Sequence, residues 1–296
     1  MAVDLGSGEW LDDNRANWDE RVATHVASPF YDRTRLREGG SVLDPIARAG
    51  VDRLFPDGLD GLRVLHLQCH FGSDTLSLVN LGATAVGIDF SRPAVVEARR
   101  MAEELGVADR ARFIEANVYD ARHRLPEPES FDVVFTTWGT IGWLPDVAEW
   151  ARIIAWFLKP GGRLYFADGH PSAFVFDGDA GPHGLPAFAY PYRNDDPDVI
   201  EDPSDYADPE ARIVHAKTWE WMHPLGEVHG ALRAAGLEVE SLTEHYQVPW
   251  RIFPVTIEQG DGMYGWPEQQ WLPLSYELVA SAPAPAAAPA GRPADA

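Results

Sequence analysis

The sequence predicts an α/β fold built on a doubly wound, mostly parallel sheet. Three observations predict it. Short apolar runs recur between residues 62 and 167, three of them followed by a stretch of helical periodicity. Glycine or proline marks most of the junctions. A tight turn closed by Gly72 follows the first apolar run, and an acid, Asp89, ends the second. Strand, tight loop, helix, and strand ending in an acid is the layout of a nucleotide-type site at the carboxyl edge of a parallel sheet.

Each element has its own local reason. Residues 1–60 read as an N-terminal helical lid. Trp18, Val22 and Val26 share a helical face within Trp10–Ala27, which Ser28-Pro29 ends. A second helix is expected over Ser41–Phe55, with Ser41 as its cap and Pro56-Asp-Gly as its stop. The domain proper is expected over 61–281. Strand one is Arg63–Gln68, followed by a helix over Ser73–Leu81 that Gly82 terminates. Strand two is Thr84–Asp89, and the helix Pro93–Leu105 carries proline in its first turn. Strand three is Arg112–Glu115, and strand four is Phe131–Thr136. A helix over Pro145–Leu158 is stopped by Lys159-Pro-Gly-Gly162, and strand five is Arg163–Ala167. Strands and helices alternating at this spacing imply βαβ units.

The alternation then lapses. Residues 168–222 are rich in proline, glycine, aspartate and aromatics, including Asn194-Asp-Asp-Pro-Asp198 and Glu201-Asp-Pro-Ser-Asp205. A loop this long inside a compact domain is usually functional or disordered, and its aromatics argue against disorder, so it reads as a substrate cap. Its acidic run reads as solvated rather than as a cation site. A helix over Pro224–Ala235 and strands over Leu237–Tyr246 and Leu274–Ser281 bring the sheet to seven strands. Residues 282–296, rich in alanine and proline, are expected to be a disordered tail.

Composition narrows the class. The chain has 296 residues, 45% of them apolar, enough for one large domain with a full core. A net charge of −22 disfavours nucleic acid and anionic membranes as partners, and no basic run offsets it. A single cysteine, Cys69, forbids an internal disulfide and suits a reducing compartment. No signal peptide or transmembrane run is read, so a cytoplasmic location is expected. A homodimer is left open.

The residues around the tight loop carry a resemblance. Val64-Leu-His-Leu-Gln-Cys-His-Phe-Gly72, Gly87-Ile-Asp89-Phe-Ser91, Phe113-Ile-Glu-Ala-Asn117, Phe131-Asp-Val-Val-Phe135 and Phe157-Leu-Lys-Pro-Gly-Gly162 together resemble class I S-adenosylmethionine-dependent methyltransferases, from about Leu62 to Ala280. The implied fold is Rossmann-like. The family's loop is usually Asp-x-Gly-x-Gly-x-Gly; here His66 replaces the acid, and Gln68 and His70 replace two glycines. The loop is most similar to that of bacterial small-molecule methyltransferases reading Leu-Gln-Cys-His-x-Gly. Asn17-Trp-Asp-Glu-Arg21 and His223-Pro-Leu-Gly226 fit the same group.

The resemblance implies that S-adenosylmethionine is the cofactor and that a small organic acceptor is methylated on oxygen or nitrogen. It implies a cofactor set of Gln68, Cys69, His70, Gly72, Asp89, Phe90, Asn117, Val118, Thr136 and Thr137. Asp89 would hold the ribose hydroxyls, Phe90 would lie against adenine, and Asn117 would meet the adenine amino group. Trp18, Tyr31, Trp138, Trp219, Trp221 and His223 are expected at the acceptor. His170 and His25 are the candidate general bases, needed only for a hydroxyl acceptor.

Plainer readings stand beside these. Asp89 precedes Ser91-Arg-Pro and would also serve as a cap, but its distance along the chain from Gly72 suits a ribose acid. A turn role for Asn117 is about as expected as an adenine contact. His70 reads as packing somewhat ahead of catalysis, His66 as a core or edge histidine, and Cys69 as a small buried apolar residue. No metal-ligand spacing is found. Two other functions remain: an NAD(P)-dependent oxidoreductase, disfavoured because Gln68 and His70 would crowd a pyrophosphate, and a cofactor-binding protein without transfer activity.

Overall fold

A computed structural model of the chain describes residues 3–177 and 185–284. The expected tail beyond residue 284 lies outside the described residues. Seven strands form the main sheet: β1 (Arg63–Leu67), β2 (Thr84–Asp89), β3 (Ala111–Glu115), β4 (Phe131–Thr137), β5 (Leu158–Gly169), β6 (Glu238–His245) and β7 (Ser275–Ser281). Their order is β6-β7-β5-β4-β1-β2-β3. β1 to β5 run parallel, and β7 and β6 add antiparallel at one edge. The order reverses at β1, with β2 on one side and β4 on the other. Such a switch point opens a crevice at the carboxyl ends of the strands.

The helices of two turns or more are α1 (Glu9–Ala27), α2 (Pro45–Leu54), α3 (Ser73–Asn80), α4 (Arg92–Glu104), α5 (Val147–Phe157) and α6 (Leu225–Ala234). Side chains alternate across the sheet with period two. Leu65, Leu67, Val134, Leu164 and Phe166 pack with α5 and α6 in one core, whereas Val64, Val133, Phe135 and Tyr165 join the opposite core with α2, α3 and α4. α4 buries Ala94, Val95, Ala98, Met101 and Ala102, the stripe of an amphipathic helix. α2 crosses β5 so closely that a Cβ on Gly50 would lie 2.2 Å from the Tyr165 ring.

Two boundaries differ from the sequence reading. α2 starts at Pro45, not Ser41, because Asp44 is its cap: Asp44 accepts from the N–H groups of Ile46 and Ala47 at 2.9 and 3.1 Å. Lys159-Pro-Gly-Gly162 does not precede β5 but lies within it. Leu158 already pairs with Phe131, and the register shifts before Val133 pairs with Arg163. The four residues form a bulge that re-aims the strand.

The stretch after β5 is not structureless. Asp198–Glu201 and Lys217–Glu220 form an antiparallel ribbon, which α1 holds down. Asn14 exchanges two 2.8 Å hydrogen bonds with the backbone of Trp219, and Asn17 donates to the His215 carbonyl at 2.7 Å. Arg21 and His25 both meet the buried Asp205, at 2.9 and 3.0 Å. Burial alone would raise the Asp205 carboxyl, but the His25 and Arg21 contacts outweigh it and hold it near 2. Among the described residues no helix is long and apolar enough to cross a membrane.

Candidate functional site

One cavity of 1490 Å³ opens at the carboxyl ends of the parallel strands, roofed by α1 and the ribbon. One wall is the β1–α3 loop. Gln68 and His70 both adopt left-handed backbone, with φ of 55° and 50°. These non-glycine residues therefore hold the conformation that glycine would supply, at a cost of order 1 kcal/mol each. Gly72 cannot be replaced in the same way: its φ is 81°, and a Cβ would lie 2.7 Å from the Phe113 ring. Gly87 on β2 is equally confined, with a Cβ 2.8 Å from the Cys69 sulfur.

Asp89 ties the two loops of this wall together. Its carboxylate accepts from His70 N–H at 2.7 Å and from Ser91 N–H at 2.9 Å. Burial pushes it up to about 6 against those hydrogen bonds. Ser91, not Asp89, caps α4 by accepting from Ala94 N–H, so Asp89 holds the two loops together, and each of its oxygens retains a second lone pair. Asn117 likewise caps its turn, accepting from Tyr119 N–H at 3.2 Å, while its amide donates to the Leu5 carbonyl at 2.8 Å. Cys69, Phe90 and Val118 also line the cavity.

The far wall follows β4 and β5. Trp138 and Gly139 both have positive φ, 57° and 63°. Asp168, at the end of β5, holds this turn by accepting from Gly139 N–H at 2.6 Å, Thr140 N–H at 2.9 Å and Gly169 N–H at 2.7 Å. Thr137 reaches Asp74 at 3.3 Å, and the Trp138 indole donates to Asp44 at 2.6 Å. Burial, and then the charge of Asp44, raise Asp74 to about 7. Burial also raises Asp44.

The roof is aromatic. The His70 ring packs against Trp18, His25, Tyr31 and Phe71 with centroids 4.2–5.7 Å apart. Burial, then the charge of His25, pushes His70 well below the usual histidine range, so it is neutral. The hydroxyls of Tyr31 and Tyr206 meet at 2.5 Å. Trp221 and His223 complete this side; His223 donates from Nε2 to the Leu144 carbonyl at 2.7 Å.

Four residues expected at the site lie outside the wall. The ring nitrogens of His170 are occupied by Glu244 at 3.2 Å and Ser172 at 2.6 Å, on the side facing Tyr276. The end of β5 lines the cavity through Asp168 and Gly169, while His170 itself does not line it. His25 is fully buried behind the lining, with Nε2 on Asp205 and its ring stacked on Tyr31. Trp219 faces α1, and its indole donates to Asp13 at 2.9 Å. Thr136 turns into the sheet and donates to the Leu67 carbonyl. The sequence reading missed Asp44, Asp74, Asp168, Trp143 and Tyr206, all of which line the cavity. Asp44 had a usable signal, since an acid before Pro45 marks a helix start. Asp74 had none, because an acid in a first helical turn is ordinary.

Comparison with known proteins decides the architecture. A model described as a methyltransferase domain matches residues 64–162. An S-adenosylmethionine-dependent methyltransferase from Mesorhizobium loti superposes with a TM-score of 0.51 at 18% identity, over 79% of this chain and 96% of that one. The 1,6-didemethyltoxoflavin-N1-methyltransferase of Burkholderia thailandensis superposes with a TM-score of 0.54 at 15% identity, over 96% and 93%. The fold is the Rossmann-like methyltransferase fold. In sequence, the chain is 38% identical over 118 residues to a ubiquinone biosynthesis O-methyltransferase of Ralstonia nicotianae, covering 40% of this chain and 48% of that protein. It is 34% identical over 134 residues to the methyltransferase GfsG of Streptomyces halstedii, covering 43% and 47%. The chain thus spans about half the length of the curated relatives it matches.

Proposed function

We propose that this chain transfers a methyl group from S-adenosylmethionine to an oxygen or nitrogen atom of a small organic molecule. The observation that carries the reading is the β1–α3 loop. Gln68 and His70 put side chains where a pyrophosphate-binding loop carries glycines, and the amides of Cys69, His70 and Gly72 are held by the Ile88 carbonyl, Asp89 and the Cys69 carbonyl. A pyrophosphate needs close backbone approach at such a loop, whereas a cofactor without phosphates tolerates the two side chains. This argues against NAD(P).

The residues fit the cofactor on structural grounds. Gly72 and Gly87 let the loop pack closely on Phe113 and Cys69, where a Cβ would clash, and Gln68 Oε1 is buried at the cavity wall with no partner. Asp89 would hold the ribose hydroxyls on its free lone pairs, Phe90 would face the adenine, and Asn117 and Val118 would border it. When bound, S-adenosylmethionine supplies a methyl group activated on a sulfonium sulfur. The protein's part is to align the acceptor and exclude water, and the aromatic roof suits both tasks. Trp18, Tyr31, Trp138, Trp221 and His223 would shape the acceptor space; an apolar, flat acceptor fits it best.

The same reading places the chain with the bacterial small-molecule methyltransferases of the Leu-Gln-Cys-His-x-Gly loop, in the cytoplasm, with no nucleic-acid partner. The charge of −22 supports the last point. The test is turnover of methyl-labelled S-adenosylmethionine against a panel of phenols, amines and carboxylic acids. Label transfer to any of them is expected; tight cofactor binding with no transfer across the panel would favour a binding protein instead.

A further inference from the structure

We propose that the cavity has a second lobe built for an extended, uncharged aromatic acceptor, with Trp250 and Phe174 as its specificity-determining residues. The lobe's chemistry stands apart from the methyltransferase reading, which supplies only the ligand's role as acceptor.

The volume calls for a second occupant. A drug-sized ligand fills a pocket of about 300–1,000 Å³, and this cavity measures 1490 Å³. The cofactor is expected at the ends of β1, β2 and β3, where Gly72, Asp89 and Asn117 lie. The remaining space runs past Trp138, after β4, to Gly169 at the end of β5. It is walled by residues from segments 169–176 and 249–264.

These walls are aromatic for a structural reason. Gly169 has no side chain, and a Cβ there would lie 2.5 Å from the Phe174 ring and 3.5 Å from that of Trp250. Both rings therefore close on the strand end. Trp250 meets Trp138 edge to face, with centroids 6.0 Å apart and planes at 73°. Trp250 also packs on a small core of its own, in which Phe253 stacks on Trp266 at 5.5 Å beside Ala173, Val248 and Leu274. Val248 belongs to a short strand that pairs with Tyr264–Gly265. The rings are thus held by packing before any ligand arrives, which lowers the ordering cost of binding.

Two further observations set the ligand's class. An aromatic track leads out of the cavity. Phe253 meets Phe176 at 6.4 Å, and Phe176 stacks at 4.6 Å on Phe188, which is 82% exposed. Phe174 and Tyr190, both lining the cavity, are 41% and 39% exposed. Bare aromatic side chains in a row mark a binding groove, and a row of this length suits a ligand longer than one ring. Fixed charge, by contrast, is scarce. Among the described residues the two segments line the cavity with one cation and one anion, Arg251 and Asp261, both exposed. Asp168 nearby spends its carboxylate on backbone amides. A charged acceptor would lose its water here without gaining a partner.

Calorimetric titration of the full chain with phenol, 2-naphthol and 6-hydroxyflavone, with and without S-adenosylhomocysteine, tests the lobe. Each added ring should tighten one-to-one binding by about tenfold, as burial of its apolar area predicts. The charged 2-naphthoate should bind at least about tenfold more weakly than 2-naphthol. The gain per ring should fall to about threefold or less in Trp250→Ala. Trp271→Ala, which removes an exposed tryptophan outside the cavity lining, should keep the full gain. If circular dichroism shows Trp250→Ala unfolded, Phe174→Ala replaces it and should reduce the gain likewise. Equal affinities across the series would overturn the lobe, as would naphthoate binding as tightly as naphthol, or a gain that the variants at Trp250 and Phe174 leave intact. Ring-dependent binding with no binding of S-adenosylhomocysteine would overturn the cofactor reading and leave the lobe standing. Binding of S-adenosylhomocysteine with a flat ring series would do the reverse.

Discussion

Replacing Asp89 with alanine isolates the residue on which the cofactor reading leans most. In the wild-type protein its carboxylate does two jobs at once. It accepts the His70 and Ser91 amides at 2.7 and 2.9 Å, and on the proposed reading its remaining lone pairs would accept from the ribose diol. Loss of charge-assisted hydrogen bonds to the diol should cost about 3 kcal/mol, or about 100-fold in affinity. Loosening of the loop would also weaken binding, so affinity alone does not decide the role. A double-mutant cycle does. The Kd of S-adenosylhomocysteine and of its 2′-deoxy analogue is measured on wild type and Asp89→Ala by calorimetry, with thermal unfolding as a check on folding. Removing the hydroxyl should weaken binding to wild type by about tenfold or more, and should change almost nothing in Asp89→Ala. A folded Asp89→Ala protein that still discriminates the two ligands as wild type does would refute the assignment.

Other outcomes follow from the same geometry. Burial raises Asp74 to about 7 and Asp89 to about 6 from ordinary values near 4. At these two groups the folded protein binds more protons than the unfolded chain between about pH 4 and 7, so they make stability fall as pH rises through that window, while the lowered His66 and His70 act in the opposite direction. Denaturant unfolding from pH 4 to 8 should show a shallower fall in Asp74→Asn than in wild type; an unchanged slope would count against the buried setting of Asp74. Gly50→Ala puts a methyl into the Tyr165 ring and should destabilise by about 1–3 kcal/mol in chemical denaturation; a neutral effect would show that α2 is free to shift. His170→Ala should keep wild-type turnover, because both ring nitrogens are occupied away from the cavity; a hundredfold loss of kcat in a folded variant would restore it as a base.

The parallel strands were legible because they are buried on both faces and read as short apolar runs between glycine and proline stops. Gly72 and Asp89 were legible for a related reason: a tight turn and a strand-ending acid are local features. What escaped was long-range. Nothing near Asp74 in the chain announces that Asp44 faces it across the cavity. His170 sits at the expected sheet edge, yet its direction is set by Glu244 on β6, which no local pattern reveals. Trp219 was drawn to the cavity by its residue type, but the ribbon's alternation turns it toward Asp13 on α1. The ribbon itself was hidden because it is held by α1, some 200 residues away in sequence, more than by its own propensity. The loop itself was legible as a variant: Gln68 and His70 stand where the family usually has glycines, and both adopt left-handed backbone.

The most direct test of the account is calorimetric titration of the full chain with S-adenosylhomocysteine and with NAD under identical conditions. Saturable, one-to-one binding of S-adenosylhomocysteine with no heat from NAD is the predicted result; saturable binding of NAD with none of S-adenosylhomocysteine would contradict it.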